Sequence, residues 1–241
     1  MARRLFYVDE VRRDHAELTG DDARHLTKVL RVEVGQIYEI SDGEQLYLAE
    51  VDAAHKSLVS FRVTGRLPAP AARIETTLYA SLFKFDHFEW MLEKATELGV
   101  AHIQPVIAER SERGLDQAAH KRMERWARIL MESGQQSRRV QRPTIAEAVT
   151  LTNAITNAQG LRLVLEEQPG CPSLLAALKP GTQNLSLLLG PEGGWSDRDR
   201  AAITAAAWQP CSLGPNILRA ETAATAALAI VSVWSLTADT L

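Results

Sequence analysis

The first seventy residues alternate between apolar and polar positions in short runs. Four of these runs are rich in β-branched or aromatic residues, and they lie at 5–8, 36–41, 45–51 and 57–65. Such alternation predicts strands, and Asp42-Gly43 between two of them is a hairpin turn signal. A further stretch, 21–30, carries its apolar residues at helical spacing and predicts one short helix. Strands at this density predict a small β-barrel.

After residue 73 the pattern changes to apolar strands that alternate with helices. The predicted strands lie at 76–83, 100–107, 161–167, 185–190 and 210–214. The predicted helices lie at 87–98, 118–136, 173–178, 196–207 and 220–237. This alternation predicts a parallel sheet with helices on both faces. The proline- and alanine-rich stretch 67–73 reads as a linker, so we expect two domains, 1–70 and 73–241.

The helix expected at 87–98 has a start signal and a stop signal. Asp86 and Glu89 have the spacing of a capping box, and Gly99 is placed to end the helix.

Composition narrows the classes of protein that remain. The chain has 241 residues, 46% of them hydrophobic, and a net charge of −3, so nucleic acid could be held only by a local basic patch. Two isolated cysteines and no histidine pair argue against zinc and against a structural disulfide. The N-terminus lacks the apolar run of a signal peptide, and we find no apolar stretch of membrane-spanning length. These observations favour a cytoplasmic protein with no metal and no membrane partner.

Two loops that contain glycine follow two neighbouring predicted strands. The first is GPEGG at 190–194, and the second is SLGPNILRAET at 212–222. Glycines at 190, 193 and 194 allow positive φ and leave the main chain bare, and ligands of parallel sheets bind beyond the carboxyl ends of the strands. Neither a GxGxxG fingerprint nor a P-loop is present. On these grounds alone GPEGG is either a tight turn or a ligand loop.

Positive charge is concentrated in the segment from Arg110 to Arg142, which holds nine basic residues against four acidic ones. Arg138, Arg139 and Arg142 lie in a stretch that we predict to be a loop, because Pro143 disfavours helix at the residue before it. A loop of this kind suits contact with phosphate. The alternatives are a solvated helix face or pairing with acidic side chains of the protein.

Taken together, these motifs resemble a known family. GPEGGWS and SLGPNILRAETAATAAL, with LEKATELGV and IAERS upstream and HLTKVLRVEVGQ at 25–36, are similar to motifs of the small-subunit (16S) ribosomal RNA uridine-N3 methyltransferases. That family belongs to the SPOUT superfamily. The resemblance covers nearly the whole chain and implies a PUA-like RNA-binding barrel followed by a trefoil-knotted α/β domain. It also implies S-adenosylmethionine as cofactor, ribosomal RNA of the small subunit as partner, and a homodimer.

The resemblance also assigns expected roles to residues of this chain. The residues expected at the cofactor are Leu189, Gly190, Pro191, Glu192, Gly193, Gly194, Leu213, Gly214, Ile217, Leu218, Ala220, Thr222 and Ala223. The residues expected at the RNA are Arg24, Lys28, Arg31, Lys84, Arg110, Gln136, Arg138, Arg139 and Arg142. Arg219 and Glu221 are the expected catalytic residues, and Glu93, Lys94 and Glu97 also match the family pattern.

Four positions depart from that pattern. Phe85 stands where a glycine is usual, Gln135 where an acid is usual, Arg138 where a glycine is usual, and Asn216 where a basic residue is expected.

The implied reaction is a displacement at the methyl carbon by uridine N3. Loss of the N3 proton places negative charge on the uracil oxygens, and Arg219 is expected to stabilise it, because a guanidinium is always charged. Glu221 and Glu192 both remain candidates for the general base. The target uridine must also leave its stack before N3 can be reached.

Two other functions stay open. One is a ribose 2′-O-methyltransferase of the same superfamily, and the other is a non-catalytic RNA-binding ribosome assembly factor.

Overall fold

The computed structural model describes residues 4–68 and 74–237. The chain divides into two compact units: Met1–Ala71 with Gly134–Arg142, and Ala72–Ser133 with Pro143–Leu241. Of the linker predicted at 67–73, only the first two residues lie within the described ranges.

The first unit contains a five-stranded sheet and one helix. Its strands are β1 (Leu5–Tyr7), β2 (His15–Thr19), β3 (Ile37–Ser41), β4 (Leu46–His55) and β5 (Leu58–Leu67), and its helix is α1 (Gly20–Lys28). The strand order is β1-β3-β4-β5-β2, and the long strands β4 and β5 carry two register shifts. Its core contains Phe6, Ile40, Val51 and Phe61, all essentially buried. Strand β2 was not predicted, because HAELT offers only two buried side chains.

The predicted hairpin turn between β3 and β4 is confirmed. Gly43 has a φ of 92°, and the Asp42 carboxylate accepts hydrogen bonds from the backbone N–H groups of Glu44 and Gln45 at 3.0 and 2.8 Å. These bonds lower the pKa of Asp42, although burial opposes them by raising it.

The segment Gly134–Arg142 is an integral part of the first unit. The Ser41 hydroxyl donates to the Val140 carbonyl at 2.7 Å, and the Arg138 guanidinium binds the carboxylate of the buried Glu39. This returning segment therefore completes a unit whose other residues come from the first seventy positions.

The second unit is a parallel sheet with helices. Its strands are β6 (Glu75–Ser81), β7 (His102–Ile107), β8 (Thr144–Ile145), β9 (Val149–Thr150), β10 (Leu161–Leu165), β11 (Asn184–Leu189) and β12 (Gln209–Cys211). Its helices are α2 (Phe85–Glu97), α3 (Leu115–His120), α4 (Met123–Gln136, whose last residues belong to the returning segment), α5 (Leu151–Asn157), α6 (Leu174–Ala177), α7 (Asp197–Ala205) and α8 (Ala220–Thr237). The order is β12-β10-β11-β6-β7-β8, with β9 also paired to β7. The predicted fold class is confirmed.

Strand β11 shows why both faces of this sheet are covered. Leu185, Leu187 and Leu189 belong to one apolar cluster, which contains α2 and α8, whereas Leu188 belongs to a second cluster with α5 and α7. Successive side chains of a strand point to opposite faces, so a strand with no polar face requires helices on each side.

Within the described ranges, α8 is long and apolar enough to span a membrane by length and composition, with a mean hydropathy of 1.3 over 18 residues. Ala224, Ala227 and Leu228 of α8 lie in the core of the second unit. A core helix has the same composition.

Two expectations for the helices were wrong in detail. Helix α2 has Lys84 at its N-cap with no side-chain cap, and Glu89 instead binds Arg122 at 2.9 Å and Arg125 at 2.9 Å. The helix expected at 118–136 is two helices, α3 and α4. The stop at Gly99 is confirmed, since its φ is 94°.

Candidate cofactor and active site

A cavity of about 740 Å³ lies beyond the carboxyl ends of β10, β11 and β12 in the second unit. Three loops, one after each strand, form most of its wall, and Lys84 and His87 at the start of α2 complete it. The strand ends contribute Leu165 and Leu189. The loops contribute Glu166, Glu167, Gly190, Pro191, Glu192, Gly193, Gly194, Trp195, Ser212, Leu213, Gly214, Pro215, Asn216, Ile217, Leu218 and Arg219, and the helices add Arg200, Ala220 and Ala223. The place is the one expected for a ligand of a parallel sheet.

The GPEGG loop is a tight turn that exposes its main chain. The Gly194 N–H donates to the Pro191 carbonyl at 2.8 Å, and Gly194 has a φ of +66°. Gly190 and Gly193, where glycine would also allow positive φ, do not adopt it. At these two positions the main chain lies close to a neighbouring side chain: a Cβ would lie 3.1 Å from the Trp195 ring at 190 and 3.3 Å from the Arg110 Cβ at 193.

Neighbouring side chains hold the GPEGG loop in place. The Arg110 guanidinium donates to the Gly193 carbonyl at 3.1 Å, and the Trp195 indole donates to the Leu165 carbonyl at 3.3 Å. Helix α7 then begins with a capping box between Ser196 and Asp199. Contacts within the protein therefore hold the loop in its shape.

The end of β10 is tied to the same loop through Arg200. Its guanidinium donates to the Glu166 carboxylate at 3.0 and 3.1 Å and to the Trp195 carbonyl at 2.7 Å. The hydrogen bond to Glu166 is the main reason that the pKa of Arg200 is raised. Two of the three cavity loops are thus fixed to each other by one side chain.

A histidine and a buried carboxylate meet at the edge of the cavity. His87 Nδ1 lies 2.8 Å from Glu221 Oε1, and Glu221, in the first turn of α8, is only 8% exposed. His87 lines the cavity, whereas Glu221 does not. Sequence reasoning missed His87, and its only signal was its position one residue after Asp86, near the start of a helix beside Lys84.

The structure brings nearly all the expected cofactor residues together. All of them line the cavity except Thr222, which is exposed on α8. Of the expected catalytic residues, Arg219 lines the cavity and Glu221 lies behind His87. Lys84 lines the cavity too, and Arg110 is bound to the GPEGG loop.

The other expected RNA residues lie in the first unit. Arg24 pairs with Asp21 on α1 at 2.8 Å, Lys28 is exposed at the end of that helix, and Arg31 follows with a φ of 51°. The remaining ones, Gln136, Arg138, Arg139 and Arg142, lie in the returning segment.

Within the returning segment the three arginines differ in their surroundings. Arg138 binds Glu39, which is the competing arrangement that the sequence left open. Arg139 is partly buried, and burial lowers its pKa while Tyr7 opposes the shift. Arg142 is exposed, and its guanidinium carbon lies 4.9 Å from the centre of the Tyr7 ring.

Over residues 4–68 and 74–237, no three His, Cys, Asp or Glu side chains are grouped so that they could hold a metal ion.

Fold and site together define an α/β protein that binds a small ligand at the carboxyl ends of a parallel sheet and carries a separate β unit. Residues 70–232 match the family model described as an RNA methyltransferase domain, and residues 18–64 match the RNA methyltransferase PUA domain.

Whole-chain relatives agree with these matches. Ribosomal RNA small subunit methyltransferase E of Synechocystis is 34% identical, over 89% of this chain and 72% of the relative. The Bacillus subtilis protein of that name is 30% identical, over 89% of this chain and 88% of the relative. A Neisseria gonorrhoeae crystal structure of the same enzyme, bound to S-adenosyl methionine, has a TM-score of 0.87 and 27% identity, over 97% of this chain and 98% of that one. The chain belongs to the ribosomal RNA small subunit methyltransferase E family, and the predicted resemblance is confirmed.

Proposed function

We propose that this protein transfers a methyl group from S-adenosylmethionine to N3 of a uridine in 16S ribosomal RNA. The observation that carries the proposal is the cavity at the ends of β10, β11 and β12, in a chain that belongs to this family. The protein acts in the cytoplasm, where small ribosomal subunits are assembled.

The cavity fits a ligand of this kind. Its volume of about 740 Å³ lies within the usual range for small-molecule sites. The bare main chain of Gly190–Gly194 and the loop 212–218 offer N–H and C=O groups to an adenine edge, and Leu165, Leu189 and Leu218 offer apolar surface. Glu167 and Glu192 line the same cavity and attract the cationic half of the cofactor.

The cofactor supplies a methyl group on a positively charged sulfur, which is already activated for transfer. The residues of this chain position the reactants and supply positive charge close to the uracil. Arg219 lines the cavity and is exposed there, so its guanidinium can bind a uracil oxygen as N3 loses its proton. Thr222 was expected at the cofactor, but it is exposed on the first turn of α8 and lies outside the cavity lining.

A variant of Arg219 tests this role. Arg219→Ala should lower the methylation rate by about a hundredfold, the usual cost of one such donor, and should leave the affinity for S-adenosylmethionine within a few fold. Isothermal calorimetry and single-turnover kinetics measure the two quantities separately. A parallel fall in affinity and rate would make Arg219 a cofactor residue instead.

The RNA is held mainly by the first unit, whose match to a PUA domain supports this role. Lys28 and Arg31 at the end of α1 and Arg142 in the returning segment are exposed cations available to phosphates.

The protein forms a homodimer through α2 and α8. These two helices pack against each other, and they expose three large apolar side chains, Trp90 at 44%, Val233 at 63% and Leu236 at 65%. Large apolar side chains exposed on two helices that pack against each other support an interaction surface there. Sedimentation should show that Val233→Glu with Leu236→Glu produces a monomer, whereas Val29→Glu, at an equally exposed position in the first unit, stays a dimer. An unchanged dimer in the double variant would place the interface elsewhere.

Mass spectrometry of nucleosides tests the function as a whole. Purified protein, 16S RNA or small subunits from a strain that lacks the enzyme, and labelled S-adenosylmethionine should give N3-methyluridine. A 2′-O-methyl nucleoside would identify a ribose methyltransferase. Absence of cofactor binding in calorimetry would favour an assembly factor.

A further inference from the structure

The pair formed by His87 and Glu221 lies at the edge of the cavity, with His87 in the cavity lining. The structure assigns His87 as the group that accepts the proton of uridine N3, with Glu221 as the residue that positions it. The assignment rests on the proposed function, and it resolves which side chain acts as the general base.

The two side chains differ in whether they are accessible from the cavity. Glu221 is 8% exposed and does not line the cavity, so its carboxylate cannot reach a base in the cavity unless α8 moves. His87 does line the cavity, and its side chain is 41% exposed. A substrate that enters the cavity therefore meets the imidazole, with the carboxylate behind it.

The geometry of the pair also selects the tautomer of His87. An ionised carboxylate only accepts hydrogen bonds, so at 2.8 Å from Glu221 Oε1 the Nδ1 atom is the one that carries hydrogen. The lone pair of a neutral imidazole then lies on Nε2. Hydrogen-bonded carboxylate–imidazole pairs orient the ring of a general base in this way, and they stabilise the imidazolium that forms.

Charged groups around His87 support the same role. Lys84 and Asp86 flank it on the first turn of α2, and Arg219 lies two residues before Glu221 in the chain. Across the cavity the lining acids are Glu166, Glu167 and Glu192, of which Glu166 is bound to Arg200. Lys84 and Arg219 favour a developing uracil anion, and neither can accept its proton when charged.

The proton transfer balances without any further reactant. The N3–H proton passes to His87 Nε2, which makes an imidazolium paired with the Glu221 carboxylate. The electron pair left on N3 forms the new bond to the methyl carbon as the carbon–sulfur bond breaks. The electron pair of that broken bond stays on the sulfur, which becomes a neutral thioether. The imidazolium afterwards releases its proton to water.

The test uses His87→Asn, which keeps an N–H donor close to the position of Nδ1 and removes the Nε2 acceptor. Single-turnover methylation is measured on 16S RNA that contains uridine and on the same RNA made with 5-fluorouridine, whose N3 proton is more acidic. Loss of a general base costs about 10²- to 10⁴-fold. We expect a loss of that size on uridine RNA and a deficit at least about tenfold smaller on fluorouridine RNA. Cofactor affinity in calorimetry should stay within a few fold.

Glu221→Gln and nitrogen-15 NMR test the positioning role. The substitution keeps the size of the buried side chain and removes the negative charge that stabilises the imidazolium, so we expect a rate at least about tenfold lower. In the unmodified protein the His87 ring should show hydrogen on Nδ1.

Three results would overturn the assignment: full activity of His87→Asn, an equal deficit on both RNAs, or a ring with hydrogen on Nε2. Failure of the proposed function is separate, because the unmodified protein would then bind no S-adenosylmethionine or place its methyl group elsewhere than on N3.

Discussion

At the scale of single residues, the GPEGG loop depends on two different properties of glycine. Gly194 needs a positive φ of +66° and has no atom within 4 Å of its missing Cβ. Gly193 has ordinary backbone but lies so close to Arg110 that a Cβ would be only 3.3 Å from that residue's Cβ. A substitution at one position strains the backbone, and a substitution at the other crowds a neighbour.

We therefore expect Gly193→Val to displace Arg110, to break its hydrogen bond to the loop, and to weaken S-adenosylmethionine binding by about tenfold or more, which is about 1.4 kcal/mol or more. The fold should survive, because position 193 is exposed. Calorimetry measures the affinity, and urea unfolding measures the stability.

Gly181→Ala is a control for the loss of a loop glycine outside the cavity, since Gly181 has a φ of +79° and does not line the cavity. The Gly181→Ala variant should have a lower free energy of unfolding and an unchanged affinity for S-adenosylmethionine. If Gly193→Val also kept its affinity, GPEGG would be a turn without a role in binding.

At the scale of elements, Glu89 holds helix α2 to the segment that contains α3 and α4. This buried carboxylate binds Arg122, between α3 and α4, and Arg125 on α4. Burial alone would raise the pKa of Glu89, but hydrogen bonds and charge from Arg125 and Arg122 lower it below its ordinary value of 4.5.

This lowered pKa predicts how stability responds to acid. The ionised carboxylate contributes its full stabilisation above the ordinary pKa of 4.5, and the contribution is lost as the pH falls through the lower pKa of the folded state. Urea unfolding at a series of pH values should give a steeper acid loss for the unmodified protein than for Glu89→Gln. Parallel curves would show that Glu89 titrates alike in the folded and unfolded chains.

The returning segment Gly134–Arg142 leads to a second prediction at this scale, because two of its arginines have different partners. Arg138→Ala removes the arginine partner of the buried Glu39 carboxylate, and because the Arg138 side chain is itself 45% exposed, the free energy of unfolding should fall by about 1–3 kcal/mol. Arg142→Ala loses only a contact with the Tyr7 ring, so its stability should change by about 0.5–1 kcal/mol.

The salt dependence of RNA binding should also differ between Arg138→Ala and Arg142→Ala. Arg142→Ala should flatten the salt dependence of 16S RNA binding by roughly 0.7–0.9 in log K against log salt, the slope of one phosphate contact. Arg138→Ala, measured where it is folded, should keep the slope of the unmodified protein. A flattened slope for Arg138→Ala would mean that RNA competes with Glu39 for this arginine.

The sequence predicts a helix or strand well where the interactions that form it join residues close together in the chain. Local patterns predicted most strands and helices, including α8 and the stop at Gly99, because periodicity and glycine act over a few residues. They failed at the start of α2, where Glu89 prefers two arginines more than thirty positions away to a capping box. His87 was missed for the same reason, since its partner Glu221 lies 134 positions away.

At the scale of the whole molecule, the two units were predictable because strand-rich and alternating patterns differ. The returning segment was not predictable. Nothing in QQSRRVQR shows that Arg138 binds Glu39 or that the Val140 carbonyl accepts a hydrogen bond from Ser41. The chain leaves the first unit at Ala71 and comes back to it at Gly134.

This return constrains the order of events during synthesis. A ribosome makes the chain from its N-terminus, and when residue 71 emerges, Glu39 is still without Arg138 and Ser41 without Val140. The first unit can be completed only after the ribosome has added the residues up to Arg142. A nascent chain arrested when residue 71 has left the ribosome but residue 134 has not should therefore be cut readily by protease, and one arrested when residue 142 has also left it should be protected in its first unit.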